Sequence, residues 1–109
     1  MSYLVELSAS ARLDLIRLHE HLLSRAQTHE DIEAAQHAIA AIGEAVSAQL
    51  KTNPFICRKA TAGGRRRELV IPFGRTGYVA LFEVIPTMEE VQAKVLVLAV
   101  RHQREEDYH

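Results

Sequence analysis

An apolar run, Val95-Leu96-Val97-Leu98-Ala99-Val100, gives way abruptly to Arg101-His102-Gln103-Arg104. An imidazole at that point titrates near neutral pH and can give or take a proton. A second basic segment, Arg65-Arg66-Arg67, opens another strand-like stretch, and Arg75 lies in a Gly-bounded turn, Gly74-Arg75-Thr76-Gly77. A guanidinium is planar, permanently charged and bidentate, which suits it to phosphate or carboxylate. Each of these residues also has a structural reading. His102 can close its strand through a hydrogen bond, and the arginines can be edge charges that discourage strand-on-strand aggregation.

The remaining reactive side chains point to less. His19 and His21 fall on different helix faces, and His29 and His37 are two turns apart. A helical zinc site wants i, i+4 pairs, so no metal and no cofactor is expected. The single cysteine, Cys57, has no partner for an internal disulfide and no nearby acid–base pair, and it reads as a structural thiol. Gly63-Gly64 leads into a strand rather than a helix, so it is not a phosphate loop.

The charge is distributed unevenly. The chain has 109 residues and a formal net charge of −1. Residues 51–75 hold seven Lys or Arg and one Glu, while the flanking segments are acidic. A general nucleic-acid binder is therefore not expected, but one basic sector could meet an acidic partner. Apolar residues are 48% and aromatic residues 6%, with no Trp, so the core must be aliphatic. No apolar run approaches the roughly 18–20 residues of a membrane span. No signal peptide is visible, and the cytoplasm is the expected compartment.

The elements that must position these residues follow from periodicity. Tyr3 to Leu7 alternates as a short strand, and Ser8 or Ser10 can cap the helix that follows. Ala11, Leu15, Leu18 and Leu22 recur at helical spacing. Thr28 with Asp31 resembles a capping box, opening a second helix striped by Ile32, Ile39, Ile42, Val46 and Leu50. Small alanines along that helix predict an antiparallel helix hairpin. Residues 53–64 read as a loop. Strands are predicted over Arg66–Ile71, Tyr78–Ile85 and Lys94–Val100, the last apolar on both faces and so interior. The expectation is an α+β fold: one β-α-α-β-β-β domain over 1–109, with a four-stranded, antiparallel-rich sheet. The helix hairpin packs on one face, and residues 102–109 form a polar tail. Leu15, Leu18, Ile39, Val46, Leu81, Leu96 and Leu98 are expected to be mostly buried.

This order, together with the Arg-Glu-Leu-Val-Ile-Pro-Phe-Gly turn segment and the Val-Arg-His-Gln-Arg-Glu strand end, resembles the RelE/ParE superfamily. The ParE-like members are the nearer resemblance, and it spans nearly the whole chain. It implies the toxin of a type II toxin–antitoxin, or plasmid-stabilisation, system, neutralised by a cognate antitoxin. A ParE-like member is implied to bind and inhibit DNA gyrase without being a hydrolase. Arg67, Arg75, Arg101, His102, Arg104 and Tyr108 are then the target-binding residues. The alternative implied by RelE-like members is a ribosome-dependent mRNA endonuclease, with Arg67, His102 and Tyr108 as its reacting set. Some nuclease members carry a catalytic Glu near the position of Arg58 and Lys59. Here the only acid between Lys51 and Arg75 is Glu68, on a strand, which counts against that alternative. A third reading is a superfamily member whose toxicity has decayed.

Overall fold

A computed structural model describes residues 2–60, 64–86, 93–105 and 108. Strand β1 (Leu4–Leu7) is followed by helices α1 (Ala9–Ser24) and α2 (His29–Ala45). Then come β2 (Arg58–Lys59), β3 (Arg66–Phe73), β4 (Thr76–Ile85) and β5 (Lys94–His102). The sheet has five strands in the order β1-β5-β4-β3-β2. All pairs are antiparallel except β1 with β5, which is parallel. The fold is α+β as expected, but the sheet gains a strand. The two-residue β2, inside the stretch read as a loop, is too short to show alternation.

Local chemistry sets the helix boundaries. The Ser8 side chain caps α1 by accepting from the Ala11 N–H at 3.0 Å. Thr28 and Asp31 form a reciprocal capping box at the start of α2. Asp31 is held below the usual carboxylate range, chiefly by the Gln27 backbone N–H that it accepts. A π-helical turn over Val46–Leu50 extends α2, and it keeps Val46 and Leu50 in the core with Ile42. The β3–β4 hairpin turns on Gly74, whose φ of 60° a side chain would disfavour. Gly77 is required for a different reason: a Cβ there would meet the Ile71 carbonyl at 2.3 Å.

The main core lies between the helix pair and one sheet face. Tyr78, Ala80 and Phe82 of β4 meet Val95, Val97 and Val100 of β5, with Ala11, Leu18, Ala38, Ile42, Val46 and Leu50 from above. Full burial of side chains such as Phe82 and Ile42 contributes about 1.5–3 kcal/mol each. A smaller cluster of Ala60, Leu81 and Ala99, with Leu98 and Tyr108 packed against it, sits on the opposite face. Leu18, Val46 and Leu81 are buried, and Leu15, Ile39, Leu96 and Leu98 are partly buried, with Leu15 and Ile39 packed against the main core and Leu98 against the smaller cluster.

Leu98 sits where β5 bulges. Leu81 pairs with Ala99 and Phe82 with Val97, which leaves Leu98 as the extra residue. Partner strand β1 also ends at this point, with Leu7 opposite Val97. The β5 edge beyond it needs other partners, and α1 supplies them. The Ser8 hydroxyl donates to the Leu98 carbonyl at 3.0 Å, and buried Asp14 accepts from the Val100 N–H at 2.9 Å. The bulge and these two side chains together fix how the C-terminal end of β5 leaves the sheet.

Candidate functional site

The bulge inverts the facing of everything after it. Val100 and His102 share the helix face, while Arg101 points to the opposite one. The six basic and aromatic candidates consequently do not form one site.

Arg67 lies opposite Phe82 near the start of β3. Its guanidinium donates to the carbonyls of Cys57 at 2.8 Å and Phe55 at 3.3 Å, and it stands 5.4 Å from the Phe55 ring centroid. Arg67 therefore ties down the short 3-10 turn Pro54–Ile56. Burial pushes the neighbouring Cys57 thiol up in pKa, partly opposed by the Arg67 charge, which disfavours the thiolate form.

Arg101 and Tyr108 lie on the opposite face, gathered around Glu68. The Tyr108 hydroxyl donates to Glu68 Oε2, and Arg58 Nε donates to Glu68 Oε1 at 3.0 Å. Arg101 approaches Glu68 Oε2 at 3.9 Å and stands 5.0 Å from the Tyr108 ring centroid. Arg101 also donates to the carbonyls of His102, Gln103 and Glu105, so it gathers the polar tail onto the strand end. The Tyr108 phenol is pushed well above its ordinary pKa, first by burial and then by the Glu68 carboxylate.

His102 lies opposite Tyr78, with its ring edge-on to that tyrosine and centroids 5.5 Å apart. Its Nδ1 accepts from the Arg104 backbone N–H at 3.1 Å, so Nε2 carries the proton and donates to Thr76 Oγ1, also at 3.1 Å. Burial and the Arg104 charge lower its pKa. Arg75 and Arg104 are exposed, Arg75 at the tip of the β3–β4 hairpin and Arg104 just beyond β5. Strands β3 and β5 run the same way on either side of β4, so Arg75 joins His102 and Arg104 at one end of the sheet. Arg65, Arg66, Arg67 and Lys59 gather at the other.

Arg67 and His102 pair with β4 residues four positions apart, about 13 Å along the strand, and Tyr108 lies through the sheet from both. Among the described residues, no cluster of His, Cys, Asp and Glu could hold a metal ion, and no helix is long and apolar enough to cross a membrane. Two acids are central to this arrangement that the sequence reading did not name for such roles. Asp14 was legible as a charge on the apolar face of α1. Glu68 was visible only as the lone acid in a basic stretch.

The family model for the ParE toxin of type II toxin–antitoxin systems, parDE, matches residues 5–107, and the chain belongs to that family. A solved structure described as a chromosomal ParDE toxin–antitoxin system from P. aeruginosa shares the fold. Its TM-score is 0.71 at 17% identity, over 93% of this chain and 96% of the other. A comparison with curated proteins finds no match.

Proposed function

We propose that this chain is silenced by a cognate antitoxin and, when free, acts on DNA gyrase as a binding inhibitor rather than as a hydrolase. The observation that favours this over an mRNA endonuclease is the separation of Arg67, His102 and Tyr108. A general acid–base pair must converge on one scissile phosphate within hydrogen-bond reach. Here two of the three lie far apart on one face, the third lies on the other, and all three are engaged inside the fold. The contact with the target then falls to Arg75, His102 and Arg104, with Arg67, Arg101 and Tyr108 as supports. Charges at such a rim set association rate and specificity more than raw affinity.

An antitoxin is supported by family membership and by exposed apolar surface. Leu13, Ile16 and Leu23 lie exposed on one side of α1, and Ile32 lies exposed on α2. A partner segment along the helix pair would cover them, folding as it binds.

The test is supercoiling by purified gyrase, run beside translation-dependent mRNA cleavage, with and without the product of the adjacent gene. Inhibited supercoiling, relieved by that product, with intact mRNA is the expected result. Ribosome-dependent cleavage with gyrase untouched would replace the proposal with the nuclease reading.

A further inference from the structure

A pocket of about 500 Å³ lies at the end of the sheet away from Arg75 and Arg104, beside Phe55, the start of β3 and the end of β4. Tyr3, Phe55, Val84, Ile85 and Pro86 give it apolar walls, and Lys59, Arg65 and Arg67 give it three cations. None of its lining residues is fully buried, and Phe55 is 54% exposed, so the walls are accessible surface rather than core. The charges are unbalanced. Among the described residues no acid lines the pocket, and none of the three cations is in an ion pair. Glu83, next to Val84, alternates onto the other face of the sheet with its partner Arg66. On that other face the arrangement is the opposite one, since Arg58 and Arg101 share the carboxylate of Glu68. Three like charges around one apolar concavity repel one another, and an anion relieves them. Part of the site is already held in place. The bonds from Arg67 to the Phe55 and Cys57 carbonyls both leave from Nη1, its guanidinium stands against the Phe55 ring, and Tyr3 meets that ring edge-on.

We propose that this pocket binds a small phosphorylated molecule with a planar apolar body, of the size and kind of a nucleoside diphosphate. The proposal goes beyond the antitoxin and gyrase readings and rests on neither. The volume is that of a site for one small molecule. A diphosphate brings several negative charges to the three cations, and a guanidinium fork matches its oxygens. A single carboxylate would leave most of the positive charge uncompensated. The planar body meets the half-exposed aromatic wall, and such a wall accepts any base because every base has a π-face. The lining holds no carboxylate or amide side chain to read a base edge, so no particular base is selected. A nucleic-acid strand would need a basic groove that follows its successive phosphates. Here the cations stop at the pocket: Arg66 faces the other way, and Lys94 is paired with Glu6 at 3.1 Å.

The experiment is calorimetric titration of the full chain with adenosine diphosphate. Four other probes accompany it: adenosine, inorganic pyrophosphate, an acidic aromatic tripeptide and a 5′-phosphorylated single-stranded oligonucleotide. The protein is used as wild type, as the Lys59→Gln/Arg65→Gln double variant and as Phe55→Leu. The side chains of Lys59 and Arg65 are exposed and in no ion pair, so the double variant should fold, and circular dichroism checks that it does. Adenosine diphosphate should bind the wild type, and the double variant should lose about tenfold or more in affinity through the missing charge-assisted bonds. Phe55→Leu, which keeps an apolar wall without the ring, should lose about tenfold through the missing stacking partner. Adenosine, pyrophosphate and the tripeptide should each bind the wild type at least about tenfold more weakly than the whole nucleotide. Absence of nucleotide binding overturns the proposal, as does undiminished binding to the double variant. Equal affinity for pyrophosphate reduces the pocket to a patch of charge, and equal affinity for adenosine reduces it to an apolar cleft; either overturns the proposal. Tighter binding of the tripeptide makes the pocket a peptide site, and tighter binding of the oligonucleotide makes it part of a polynucleotide surface; both overturn it as well.

Discussion

Glu68 and Tyr108, 40 positions apart, are joined by a hydrogen bond from the tyrosine hydroxyl to Glu68 Oε2. Around it lie Arg58 at 3.0 Å and Arg101 at 3.9 Å. The Glu68 side chain is only 8% exposed and that of Arg101 12%, so the pair is held well away from water. A buried acid of this kind is stable only when its partners are present. The cluster secures Tyr108 of the polar tail over Leu81 and Ala99, on the sheet face that the helices leave open. Arg101 and Tyr108 thus shape the strand end, while Arg75 and Arg104 stay exposed.

Removing the two members of this contact should have unequal effects. Tyr108→Phe loses one charge-assisted hydrogen bond and should cost about 1–2 kcal/mol. Glu68→Ala leaves Arg101 without its carboxylate in a shielded site and should cost about 3 kcal/mol. Urea unfolding curves check both values. Equal costs for the two variants would show that Glu68 matters only as an acceptor for Tyr108.

The same cluster sets the ionisation of the tail tyrosine. Burial and Glu68 raise the Tyr108 pKa above its unfolded value of about 10. A raised folded pKa means that this contribution to stability is complete below about pH 10. It is lost as pH climbs toward the folded value, because the unfolded chain gives up its proton first. Absorbance titration at 295 nm should therefore show a late-ionising phenol that disappears in Tyr108→Phe. Burial raises Tyr78 as well, so a late component should persist in that variant, and the difference between the two proteins is the informative quantity.

Asp14 gives a prediction about the strand that carries His102. Its carboxylate accepts from the Val100 N–H, which has no strand neighbour once β1 has ended. Asp14→Ala should cost about 1–3 kcal/mol by leaving that buried donor unsatisfied. Hydrogen exchange at the Val100 amide should accelerate more than at Val97, whose surroundings β1 still covers. Uniform acceleration along β5 would mean that Asp14 acts on global stability alone.

The legible part of the fold was the part governed by simple periods. The α2 stripe, its capping box and the Ser8 cap of α1 follow from local spacing, as does the aromatic face of β4 with Tyr78, Ala80 and Phe82. The bulge at Leu98 was not legible, because an unbroken run of Val, Leu and Ala carries no mark of the residue that leaves register. Strict alternation would place Arg101 on the same face as Val95 and Val97. The bulge moves it through the sheet to Glu68 and gives that face to His102. The grouping of candidate residues depended on this one shift, so residue types were readable and their convergence was not.

His102 offers a test in which stability and activity can be read on one variant. Its pKa is lowered from the ordinary 6.5, first by burial and then by Arg104 and His21, with Glu105 opposing. In the fold Thr76, Tyr78 and the Arg104 backbone surround the ring. Below about pH 6.5 the unfolded chain takes up a proton that folded His102 resists, so stability falls as pH drops toward the folded value. His102→Gln can still accept from the Arg104 N–H and donate to Thr76, yet it cannot titrate. Its unfolding free energy should therefore depend less steeply on pH between about 7 and 5 than that of the wild type. If the toxin works by binding, the same variant should keep its growth arrest to within a few-fold, since the amide preserves the shape of the strand end. A nuclease that uses this imidazole as acid or base would instead lose about 10²–10⁴ in rate. A flattened pH profile with toxicity retained supports the binding reading; a flattened profile with toxicity lost and mRNA cleavage abolished transfers the chemistry to His102.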